Sequence, residues 1–435
     1  MGRPRRASSN LGGDPRGDTG APALATMTTR SSSTQVSANG NDLRPHSKRR
    51  KARSAFRKWK HISLKHTWVN PLLIVLAILG AYFVNPGEQN PLHKAIFLSY
   101  PLGPDYPGGP NMYGKGKGDI AFVAFYTVVF SFTREFVMQR LLRPAAIKCG
   151  ILKRAKQWRF MEQTYTALYF SVFGPFGLYV MSKGPLWYFN TTAMFEGFPH
   201  RKHEALFKAY YLLQASYWAQ QAIVILLLLE KPRKDFKELV LHHVVTLALI
   251  GLSYRFHFAR MGIAVYITHD ISDFFLATSK TLNYVDAYIT GPYFGVFVCV
   301  WIYLRHYINL RILWATLTEF RTVGPFELNW ETQQYKCWIS QYITFALLAL
   351  LQAVNLFWFF LILRIAKNYA FNHVAQDERS EDEDDEEDET PEAQPSGKAL
   401  PDKKTNGAQP VVLVNGEPFE AQLKTPAVRE RKRKG

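Results

Sequence analysis

The amino-acid sequence predicts an all-α polytopic membrane protein of about eight transmembrane helices, flanked by two charged tails. Three observations carry this expectation. The chain holds eight apolar stretches long enough to cross a hydrocarbon core of ~30 Å. Its charge is segregated: residues 1–67 hold 15 Lys/Arg against 3 Asp/Glu, and residues 377–389 hold 11 Asp/Glu against one Arg. Residues 398–435 are basic again, so the central region keeps only 45 of the 88 charges. A net charge of +18 over 435 residues would suggest nucleic acid if it were spread evenly. Confined to tails and loops, it argues for a membrane and against a nucleic-acid partner.

The first 67 residues are rich in Ser, Gly, Pro and Arg and contain no apolar core of a secretory signal. They read as a disordered basic arm. Its cluster SKRRKARSAFRKWK (47–60) directly precedes the first apolar run, where basic residues anchor a helix on the cytosolic side. That run covers 68–84. A Pro/Gly-rich segment leads to a second span near 119–139, and together they make an N-terminal region, 68–154. Six more spans fill 155–372, near 160–182, 206–229, 236–256, 261–281, 288–306 and 338–365. Several are rich in Tyr, Trp, Gln and His. Such polar atoms must face other helices or a cavity, because lipid satisfies none of them. Residues 373–435 read as a disordered cytosolic tail, whose acidic run follows Ser380, a candidate site for an acid-directed kinase.

Lys/Arg placement orients the chain. The 140–159 connection carries seven basic residues and no acid, and KPRKDFK (231–237) falls on the same side. With both in the cytosol, the connections at 85–118, 183–205 and 310–336 face the lumen. The sequon Asn190-Thr191-Thr192 lies there too, open to glycosylation, and an even helix count leaves both termini cytosolic. Cys149, Cys299 and Cys337 are too few and too far apart for a disulfide framework or a cysteine zinc site.

The chemistry sits in the fifth and sixth spans. His242 and His243 lie six to seven residues into the fifth, ~10 Å below the cytosolic face at the helical rise. The sixth carries His269, Asp270 and Asp273 within little more than a turn. The short connection FHFAR (256–260) makes the two spans a hairpin, and reflection about residue 258 brings His243 level with Asp273 and Thr246 level with Asp270. A His facing an Asp is the arrangement that orients an imidazole as a general base. Acidic groups inside a membrane cost some ~2.5–3.5 kcal/mol each, so they point to function by default. A plain interhelical clasp needs only one polar pair. No HxxxH pair falls on any predicted helix, so neither a metal nor a bound cofactor is expected. Gln214, Tyr217 and Gln221, with Gln352, Asn355 and Trp358, are further candidates to line the chamber. His257 reads as isolated and His306 as interfacial. Lys231, Arg233 and Lys234, with Arg305, would give the cytosolic mouth a positive field that attracts a polyanion such as a coenzyme A thioester.

The stretches KPRKDF (231–236), LHHVVT (241–246) and HDISDFFLATSKTLNY (269–284) resemble the longevity-assurance motif of the ceramide synthases, or sphingoid base N-acyltransferases. The resemblance extends over a TLC domain, about 155–372, to the ending LQAVNLFWFFLILRIAKN, and more weakly over FTREFVMQRLLRPAA (132–146). The homeobox-like insert of animal members is absent, which resembles the fungal type; Pro232 stands where a basic residue is common. The resemblance implies a six-helix TLC bundle or barrel with an internal chamber in the endoplasmic reticulum membrane. It implies transfer of a fatty acyl group from acyl-CoA, a co-substrate, to the amino group of a sphingoid base. It implies His243 as principal base, His242 assisting, Asp270 and Asp273 orienting and charge-balancing them, and His269 supporting. Direct general-base attack and an acyl-histidine intermediate both remain open, as do a non-catalytic TLC-fold protein and a metal-dependent, ceramidase-like hydrolase. A homo- or heterodimer and a small accessory membrane subunit are further open partners.

Overall fold

The computed structural model describes residues 48–227, 235–372, 413–414 and 417–418. The expected disordered arm up to residue 47, the tail apart from 413–414 and 417–418, Ser380, and the cluster Lys231, Arg233 and Lys234 lie outside the described residues; the end of the arm, Lys48–Lys65, is helical, against the expectation of disorder. By contacts the chain divides into Met1–Ala366 and Lys367–Gly435. In the second unit, Leu413–Val414 pairs antiparallel with Glu417–Pro418.

Nine long helices form in the described residues. Helix α1, Lys48–Lys65, precedes α2, Val69–Val84, whose Pro71 falls in the first turn, where its missing N–H leaves no helical bond unmade. Next come α3 (Gly118–Lys148), α4 (Arg154–Ser182), α5 (Ala205–Leu226), α6 (Phe236–Arg255), α7 (Ala259–Tyr284), α8 (Thr290–Thr322) and α9 (Trp338–Asn372). Helices α2 to α9 fall on the eight predicted apolar stretches. Four of them, α3, α6, α8 and α9, are long and apolar enough to cross a membrane by length and composition. The chain is a multi-pass membrane protein.

Two differences from the sequence reading matter. Helix α8 does not stop at 306: a π-helical turn, Ile302–Ile308, carries it on to Thr322. The expected 310–336 connection therefore begins at Val323. The fold also contains a small sheet. Pro101–Pro104 (β1) pairs antiparallel with Asn111–Tyr113 (β2), which pairs with His203–Glu204 (β3), Tyr113 opposite His203. This sheet caps one end of the bundle. The other end of α3 leads through 149–153, part of the basic stretch 140–159, into α4.

The core is aromatic. Tyr169 of α4 stacks on Tyr217 of α5 with ring centroids 3.6 Å apart, and Phe130 of α3 meets both edge-on. Helices without water between them are held by such packing and by interhelical hydrogen bonds. Helices α4 and α7 approach closely because α4 presents Gly177, where a Cβ would stand 2.5 Å from the Tyr210 hydroxyl and 2.8 Å from Ile267.

Candidate active site

Helices α6 and α7 form the expected hairpin, closed by His257 in the left-handed region (φ 68°). Against it stand α5, α8 and α9. An apolar cavity of about 230 Å³ runs between α5, α6, α7 and α9. His242, Thr246 and His269 line it, with Ile250, Val265 and Leu347 farther along the helices and Leu328, Trp330 and Tyr335 from the 323–337 loop at the capped end.

His242 and His243 are both buried, their ring centroids 5.6 Å apart, with Trp218 edge-on to both. His242 also meets Trp358 at 5.1 Å, and its Nδ1 has no hydrogen-bond partner among the described residues. His243 Nδ1 lies 2.9 Å from the Leu239 carbonyl one turn back. His269 is engaged at both ring nitrogens: Nδ1 sits 2.9 Å from the Val265 carbonyl, and Asn355 Nδ2 donates to Nε2 at 3.2 Å. That pattern is a neutral ring with its proton on Nδ1.

The carboxylates bond elsewhere than the spacing suggested. Asp270 Oδ2 accepts from the Tyr210 hydroxyl at 3.0 Å and from Gln214 Nε2, while Tyr169 donates to Gln214 Oε1 at 3.0 Å. Asp273 pairs with Arg305. Arg305 also donates to Ser272 Oγ at 2.6 Å and Asn355 Oδ1 at 2.9 Å, its guanidinium lying 4.2 Å over Trp301. Arg305 is 1% exposed, so it is a buried partner of α7 and not a solvent-facing cation at the mouth. His306 is buried as well, accepting from Gln352 Nε2 at 2.8 Å. Among the described residues no group of three or more His, Cys, Asp or Glu stands together to hold a metal.

Sequence reasoning missed Tyr210, Tyr169 and Ser272. The Tyr210–Gln214 pair, four residues apart on α5, was a readable signal for one of them. It also missed a second polar cluster, at the capped end. Lys208 is fully buried and donates to the carbonyls of Ser99 and Gly114, both at 2.8 Å, with Asp119 Oδ1 2.7 Å away. Tyr254 donates to Asp119 Oδ2 at 2.9 Å. Lys115 Nζ lies 3.2 Å from His257 Nδ1, so His257 is not isolated. Burial pushes Lys115 down to about 7 against the pull of Asp119, and burial with the Lys115 cation pushes His257 down to about 4.

A helical membrane bundle with an apolar cavity lined by the buried His242 and His269 is suited to hold a lipid chain beside ionisable groups. Residues 159–364 match the TLC domain model. Sphingosine N-acyltransferase lac1 of Schizosaccharomyces pombe is 52% identical over 323 residues, covering 74% of this chain and 83% of that protein. Sphingosine N-acyltransferase-like protein FUM17 of Gibberella moniliformis is also 52% identical, over 77% and 88%. Sphingosine N-acyltransferase LAG1 of Saccharomyces cerevisiae is 45% identical over 87% and 92%. The chain belongs to the sphingosine N-acyltransferase (ceramide synthase) family.

Proposed function

We propose that the protein is a ceramide synthase: it transfers a fatty acyl group from acyl-CoA to the amino group of a sphingoid base such as dihydrosphingosine or phytosphingosine. The observation that carries this reading is the cavity, an apolar slot with histidines at one end. The slot suits an acyl chain and excludes water from the thioester. The sphingoid ammonium must lose a proton before it attacks. We assign His242 as the base in place of His243, because it lines the cavity and its Nδ1 has no hydrogen-bond partner among the described residues. His243 assists beside it, and His269, fixed at both nitrogens, positions the reacting groups. As the C–N bond forms, the thioester C–S bond breaks and coenzyme A leaves as the thiol. Asp270 holds α5 and Asp273 holds Arg305 around this centre.

We further place the protein in the endoplasmic reticulum membrane with eight spans, six in the TLC bundle (155–372), and both termini cytosolic. The capped end then faces the lumen, with Asn190 exposed there for glycosylation. Acyl-CoA enters at the basic end, where Lys231, Arg233 and Lys234 supply the positive field.

The purified protein given acyl-CoA and dihydrosphingosine should form the matching ceramide, read by mass spectrometry, and His242→Ala should lower the rate about 10²–10⁴-fold. No amide product from any pairing in a substrate panel would overturn the reading. Acyl-CoA alone separates the two routes: a mass gain equal to the acyl group on the His242–His243 peptide means an acyl-imidazole intermediate.

A further inference from the structure

The end of the cavity is held by residues outside the machinery described so far. Tyr335, which lines the cavity from the 323–337 loop, is 4% exposed and stacks on His257, centroids 5.7 Å apart and planes 12° from parallel. His257 Nε2 lies 3.2 Å from Gln333 Oε1, two residues before Tyr335. On its other side, His257 Nδ1 lies 3.2 Å from Lys115 Nζ, which also donates to the Tyr254 carbonyl at 3.1 Å. The three groups need one arrangement of protons: Lys115 donates to Nδ1, and Nε2–H donates to Gln333. The neutral imidazole that this requires is the form favoured by its burial beside a cation.

Lys115 lies outside the matched TLC domain, between β2 and α3. A segment that precedes the domain therefore reaches, through one histidine, the loop that lines one end of the cavity. Trp330, the other large ring at that end, packs on Tyr335 at 5.3 Å, so the pair moves with whatever holds Tyr335.

We propose that Lys115 and His257 are positioning residues that latch the 323–337 loop against the bundle and so fix where the acyl chain must stop. Neither touches the reacting atoms. The proposal rests on the ceramide synthase reading for its product readout, and on no activity at all for its structural one.

Two measurements on the full-length protein test it. Hydrogen exchange of the 323–337 loop, without substrate, should quicken about tenfold in Lys115→Met and in His257→Asn, with α7 unchanged. Asn is chosen because it tolerates the left-handed backbone at 257. Product profiles from a mixture of acyl-CoAs should broaden toward longer chains in both variants, and Lys115→Arg should restore the wild-type profile. Gln333→Asn, at an exposed position whose left-handed backbone Asn tolerates, shortens the side chain that His257 reaches and should loosen the loop and broaden the profile in the same way. Unchanged exchange in all three loosening variants overturns the latch. So does a uniform fall in rate for every chain length. A wild-type protein that makes no ceramide while the variants still loosen the loop overturns the functional reading and leaves the latch standing.

Discussion

Arg305 gives its guanidinium wholly to the interior: Nε to Ser272, Nη1 to Asn355 and Nη2 to Asp273. A lysine has no planar fork and cannot serve three acceptors in these directions. Removing one partner of a buried ion pair leaves the other uncompensated, at a cost of about 3–5 kcal/mol. Arg305→Met should therefore lower thermal stability sharply, and Arg305→Met with Asp273→Leu should recover part of the loss. The titrating groups outside the spans act in one direction. Unfolded, His200 and His257 take a proton near 6.5; folded, only at about 4. Between those values the unfolded chain binds more protons, so stability falls as pH drops from 6.5 toward 4. Melting temperatures across that range should show the fall, with a shallower slope in His257→Asn. His242, His243 and His269 were legible from sequence because ionisable groups in apolar runs stand out. The partners of Asp270 and Asp273 were not. Level depth on a hairpin does not say which side of the helix a carboxylate faces, and both turn toward tyrosine or arginine on other helices.

At the level of helices, Gly177 sets the separation of α4 from α7 and from Tyr210. Gly177→Ala pushes a methyl group into the Tyr210 hydroxyl, which bonds Asp270. Overpacking of this kind costs about 1–3 kcal/mol. The variant should melt earlier and lose acyl transfer even at temperatures where it stays folded, as measured on the purified protein. The long helices themselves were legible because apolar length is a strong signal, and α2, α5 and α6 run almost where the sequence placed them. Helix α8 was cut short because Arg305 and His306 look like the edge of a membrane. In the fold the Asp273 carboxylate and the Gln352 amide satisfy them inside the bundle. The π-helical turn at Ile302–Ile308 helps bring Leu304, Arg305, His306 and Ile308 all to buried positions, which a regular turn of 3.6 residues does less readily.

For the molecule as a whole, the cavity crosses most of the bundle, from His242 to Tyr335, so its length is a property of several helices at once. A bulky side chain partway along should shorten what fits. Thr344→Trp on α9 should move the product profile toward shorter acyl chains without abolishing turnover, read by mass spectrometry of products from mixed acyl-CoAs. The small sheet was not legible: strands of two to four residues, with Pro and Gly among them, carry no alternation to read. Yet that region bears on how far the protein divides into modules. The matched domain begins at 159, but Lys208 inside it relies on Asp119 and on the carbonyls of Ser99 and Gly114, all upstream. A fragment starting at the domain boundary would carry a buried ammonium ion stripped of its counter-charge and two acceptors. The smallest autonomous folding piece is therefore longer than its family signature, and truncations designed from that signature remove the wall that keeps one of its own lysines neutralised.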